Sequence, residues 1–177
     1  MSNLYSFSLS DHKCIDEALT ISEELVSNYY KMSSSEWLRG RYEIKTAGDL
    51  SREESVRGPF AQVVKYKGKR RGTSFSSDTC NFYTICLQDS AILETVERNA
   101  DLLLLPFLIY IFIHELVHIV RFSKFQQLYE ISTEQELTVS EESRVHKITW
   151  DILKDVSIHC MESVLKYYEN WRTIESN

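Results

Sequence analysis

Residues 102–120 read LLLLPFLIYIFIHELVHIV, and this segment constrains the fold more than any other. Its uninterrupted apolar part, Leu102 to Ile113, is 12 residues long, whereas a helix needs about 20 to span a bilayer. His114, Glu115 and His118 follow at once. The segment therefore reads as a buried core helix over 105–122, with Pro106 tolerated in its first turn, and no membrane span is expected. A helix that is apolar nearly all round must be covered on several faces. Its ionisable groups must also find partners, because an unpaired carboxylate in such surroundings costs a few kcal/mol or more.

The chain has 177 residues, with no internal repeat, low-complexity tract or linker, so residues 1–177 are read as one domain. Pro and Gly number only 2 and 5, which favours long helices. Asp11 is a candidate N-cap for a helix running to Lys31. Ile15, Ala18, Leu19, Ile21, Leu25, Val26 and Tyr29 recur on one face of it. A polar break at Ser33–Ser35, a short strand at 41–46 and a charged turn at Ser51–Gly58 come next. The β-branched and aromatic segments 60–67 and 81–87 read as strands joined by the turn KGKRRG and a polar stretch. A short helix is expected at 90–99 and a loop at 124–137. Thr138 and Glu141 have capping-box spacing for a second long helix, which passes Ile148 and Ile152 and breaks near Val156 before a last helix at 159–171. Helices with a small, antiparallel sheet make the fold class α+β.

Charge excludes some functions. The net charge is −6 with a pI near 5.4, so no nucleic-acid partner is expected. The basic cluster Lys65, Lys67, Lys69, Arg70 and Arg71 reads as a solvated hairpin tip. Cys14, Cys80, Cys86 and Cys160 form no CxxC pair. The N-terminal segment lacks the features of a secretory signal. Reduced thiols and a cytoplasmic location are the expectation.

Residues 114–118 form HExxH. The two histidines, four apart, lie on one helix face about 6 Å apart along the axis, so both imidazoles can close on a single cation. Glu115, about 100° round the helix, can reach a water beside that cation: two ligands and a base. Chance gives roughly 0.014 such motifs in a chain of this composition. The plain alternative makes His114 and His118 hydrogen-bonded core residues and turns Glu115 to solvent. A catalytic zinc takes three protein ligands. The metzincin continuation is absent, since Arg121 stands where its Gly belongs and Lys124 where its last His belongs. Downstream, Glu142 and His146 are again four apart and share a face, on a helix anchored by Val145, Ile148, Ile152 and Leu153.

HExxH followed by a Glu on a later helix resembles the zincin metallopeptidases, and among them the gluzincin-like group. The resemblance spans roughly residues 80–155. It implies a zincin-like, mostly helical fold, with a small sheet before the HExxH helix and a ligand-bearing helix packed against it. It implies Zn2+ as cofactor, His114, His118 and Glu142 as ligands, and a peptide or protein as substrate. Where that group often has a supporting acid, this chain has His146. His146 or Glu141 thus remain alternative third ligands, with Glu142 preferred. The implied activity is metal-assisted peptide hydrolysis with Glu115 as general base. His146, Arg121 and Arg144 are candidate oxyanion donors, a structural salt bridge being the plainer role for either arginine. The segment 81–87 resembles the strand whose edge holds the substrate, or is an ordinary interior strand. Tyr110 is read as core, and His12 and His159 have no assigned role. Two rivals stand beside this reading. One is a non-catalytic metal-binding protein on a zincin scaffold. The other is a di-metal carboxylate oxidoreductase, for which Glu115 and His118 have the spacing but Glu142 and His146 do not.

Overall fold

The computed structural model describes residues 5–33, 42–69, 79–125 and 134–172. Among the described residues, six helices and one three-stranded sheet make the architecture α+β. Helix α1, Leu9–Tyr30, opens one turn earlier than expected. Ser8 is its N-cap: its hydroxyl accepts the Asp11 N–H, and the Asp11 carboxylate accepts the Ser8 N–H. Asp11 is thus the far side of a capping box and not the cap itself. Ile15, Ala18 and Val26 are buried, while Tyr29 is 44% exposed and leaves the core face. Ser22 Oγ donates to the Ile109 carbonyl at 3.3 Å, so α1 lies close against the apolar helix.

Strands β1 (Tyr42–Lys45), β2 (Ala61–Lys69) and β3 (Thr79–Leu87) lie in the order β1-β3-β2. β3 pairs parallel with β1, placing Ile44 opposite Ile85. It pairs antiparallel with β2, placing Val63 also opposite Ile85. The sheet is mixed rather than antiparallel. β3 takes the centre because every residue from Tyr83 to Leu87 is buried, on both faces, as a run of Tyr, Ile and Leu interrupted only by small Thr84 and Cys86 permits. The expected turn at Lys67 begins later, since Lys67, Gly68 and Lys69 still pair with β3. Its remainder, Gly72 and the arginines of the basic cluster included, lies outside the described residues, as do Ser34 and Ser35.

Helix α2, Asp89–Arg98, leads to α3, Leu104–Phe125. All residues from Pro106 to Val120 are buried. Phe107, Ile109, Phe112 and Ile113 are fully so, and each contributes about 1.5–3 kcal/mol by leaving water. By length and composition Leu104–Ser123 could cross a membrane, and 83% of its most apolar 18-residue window is packed inside the protein. Around it sit α1, β2, α4 (Glu134–Leu153) and α5 (Met161–Tyr167), and the short α6 (Glu169–Arg172) lies against α4. α4 begins one turn before Thr138, which is interior to the helix and not its cap. Of the loop expected at 124–137, residues 126–133 lie outside the described set. The last helix is split at Tyr168, which caps α5.

Two buried acids knit the loops to this core. Asp89 accepts the N–H groups of Phe7 and Ala47 at 3.2 and 2.9 Å. Glu54, 2% exposed, accepts the Ser51 N–H, the Lys45 ammonium and the Tyr66 hydroxyl at 2.7–2.9 Å. The charged turn at 51–58 is therefore anchored from within.

Candidate metal centre

Helical spacing turns His114 and His118 to the same side of α3, and their Nε2 atoms stand 3.2 Å apart. The side of α4 facing them presents Glu142. Its Oε2 lies 3.2 Å from His114 Nε2 and its Oε1 lies 3.1 Å from His118 Nε2. Three side chains from two helices thus form a triangle of residues, each pair in contact at 3.1–3.2 Å, with Glu142 offering a different oxygen to each histidine. Ligands about 2.0–2.1 Å from a tetrahedral zinc stand about 3.3 Å apart, so the two ring nitrogens have the spacing that sharing one small divalent ion requires. A ring nitrogen of His146 lies within 4.8 Å of donor atoms on His114 and Glu142.

The histidines are 7–8% exposed, whereas the Glu142 side chain is 48% exposed. One side of the triangle is therefore open. The rings are held by packing: His118 stacks on Phe122 with centroids 5.6 Å apart, and His114 lies 4.3 Å from His146. Their Nδ1 atoms are buried without a hydrogen-bond partner among the described residues. Ligand histidines commonly donate that second N–H to an oxygen, so packing replaces the usual hydrogen-bonded support here.

The open side faces a cavity of 360 Å³ bordered by all three donor residues, Glu115 and His146. Glu115 is 7% exposed, borders the cavity and makes no hydrogen bond to a described residue. Burial raises its pKa; the charges of His114 and His118 oppose the shift and Glu142 adds to it. Burial also acts on His118, pulling its pKa down, but the Glu142 carboxylate outweighs it and the net shift is upward. Glu142 itself ends well below the usual carboxylate range: burial raises it, and its two histidine partners more than reverse that. His146 is lowered to about 3, first by burial and then by the charge of His114.

The other candidates are sorted by their contacts. Arg121 binds Glu141 through two nitrogens, with Nη2 at 3.0 Å from Oε2. The pair is the plain salt bridge that the sequence allowed for Arg121. Arg144 is exposed and does not border the cavity. Tyr110 is core, as expected, but its hydroxyl also reaches His146 Nδ1 at 2.9 Å. Segment 81–87 is the interior strand of the two alternatives, being paired on both sides. The strand that borders the cavity is β2, through residues 61–63 and the approach 58–60 before them, and its outer edge is unpaired among the described residues. The sequence reading overlooked the aromatic wall of Phe60, Tyr168 and Trp171. The spacing of Tyr168 and Trp171, three apart near the chain's end, was its only signal.

Comparison with family models, with curated proteins and with solved structures finds no match to this chain.

Proposed function

We propose that the chain is a zinc metallopeptidase with a zincin-like fold of the gluzincin type. The observation that carries the reading is the triangle of His114, His118 and Glu142 at 3.1–3.2 Å, opening on a cavity beside an unpaired buried Glu115. A zinc ion held by those three side chains supplies Lewis acidity, making water acidic near neutral pH and polarising a carbonyl. Glu115 accepts the proton of the attacking water on its carboxylate and returns it to the leaving amine. His146, on the cavity wall, donates a hydrogen bond to the oxygen that gains charge. Phe60, Tyr168 and Trp171 take an apolar side chain of the peptide. The outer edge of β2, unpaired among the described residues, offers main-chain hydrogen bonds to an extended substrate, which the doubly paired β3 does not. The three-stranded sheet favours this reading over a two-metal helical bundle.

The test is hydrolysis of a mixed peptide library by the zinc-loaded protein and by its Glu115→Gln variant. Cleavage is expected to fall by about 10²–10⁴-fold with zinc content unchanged. Equal cleavage by the two proteins contradicts the mechanism. No cleavage by either leaves a metal-binding protein and removes the peptidase.

A further inference from the structure

Tyr110 has a job beyond filling the core. It sits one turn before His114 on α3, is 1% exposed and stacks flat on Tyr168, with centroids 3.9 Å apart and planes 5° apart. That stack fixes where its hydroxyl points. The hydroxyl is 2.9 Å from His146 Nδ1, its one hydrogen-bond partner among the described residues. A phenol carries a hydrogen that needs an acceptor, whereas the second lone pair of its oxygen tolerates being unused. If Nδ1 carried the ring proton, Tyr110 would accept a hydrogen bond and its own O–H would be left without an acceptor among the described residues. The satisfied arrangement is the opposite one, with Tyr110 donating to an unprotonated Nδ1. The proton of the neutral ring then sits on Nε2. That atom makes no hydrogen bond to a described residue and is not among the sealed, unpartnered atoms, while the residue borders the cavity.

We infer that Tyr110 is a positioning residue: through its hydrogen bond it fixes the tautomer of His146, so that Nε2 presents an N–H to the substrate and is withheld from the metal. This deepens the peptidase reading and rests on it for the word substrate. It also accounts for three neighbouring histidines having different fates. His114 and His118 offer lone pairs to the triangle with Glu142, and His146 offers a hydrogen. An arrangement without the tyrosine leaves both nitrogens of His146 equivalent choices for the proton.

Nitrogen-15 NMR of the imidazoles in metal-free protein reads the tautomer directly. The expected spectrum of wild type shows His146 protonated at Nε2, and Tyr110→Phe, which deletes one oxygen, moves it to a mixture of the two forms. Protonation at Nδ1 in wild type, or an unchanged tautomer in Tyr110→Phe, overturns the inference. In the zinc-loaded protein, Tyr110→Phe is expected to lower kcat on the order of 10-fold with KM within about two-fold, a fraction of the loss typical for removing an oxyanion donor. In a His146→Ala background the same substitution is expected to change nothing. Equal losses in both backgrounds assign Tyr110 to packing and contradict the inference. If wild type cleaves no peptide while the tautomer behaves as expected, the peptidase reading fails and the tyrosine's hold on His146 stands.

Discussion

Two buried carboxylates, Glu54 and Glu115, are similarly hidden from solvent, at 2% and 7% exposure, and have opposite surroundings. Glu54 is satisfied on every side: a backbone N–H, an ammonium and a phenol bind it, and together they hold its pKa down to about 2. Glu115 has no hydrogen-bond partner among the described residues, faces a cavity, and is pushed upward by burial. The histidines beside it repeat the pattern, with ring nitrogens turned towards one another and Nδ1 atoms unsatisfied. A fold keeps a saturated polar group because it anchors a loop. It keeps an unsaturated one at a cost in stability, and such a cost points to chemistry. The difference separates architecture from function more sharply than burial alone.

That contrast can be broken by experiment. The largest effect concerns the unsaturated cluster. Zinc at 1,000 times its dissociation constant is expected to stabilise the protein by about 4 kcal/mol in thermal unfolding. His118→Ala should abolish the shift and Glu54→Gln should leave it intact. A zinc shift of equal size in wild type and His118→Ala places the ion elsewhere. The saturated cluster gives a smaller effect, read from acid unfolding of metal-free protein. Because Glu54 has a depressed pKa in the folded chain, its contribution is present above its ordinary value near 4.5 and is lost as pH falls towards 2. The stability gap between wild type and Glu54→Gln should therefore be constant above about pH 5 and close by pH 2. A gap that persists unchanged at pH 2 removes ionisation of Glu54 as its cause.

How much of this was legible in the sequence follows the range of the interactions. Local signals were readable: the helical period through Ile15, Ala18 and Val26, the β-rich segments, and HExxH on an apolar helix. Helix ends were harder, because Ser8 and Asp11 share one capping box and either fits the cap by type. Non-local order was least readable. Nothing within 81–87 says that β1 returns parallel to one side of it and β2 antiparallel to the other. The spacing of Glu142 and His146 put both on one helix face, but the hydrogen bond that His146 makes is to Tyr110, a residue on the other helix. The cavity wall likewise joins Phe60 from β2's approach with Tyr168 and Trp171 from the far end of the chain.

The central claim is that His114, His118 and Glu142 together grip one ion. Metal analysis of protein purified without chelator tests it most directly, comparing wild type with His114→Ala, His118→Ala and Glu142→Ala. The account predicts one zinc per chain in wild type and little or none in each variant. Two metal ions per chain, no metal in wild type, or full occupancy in all three variants contradicts it.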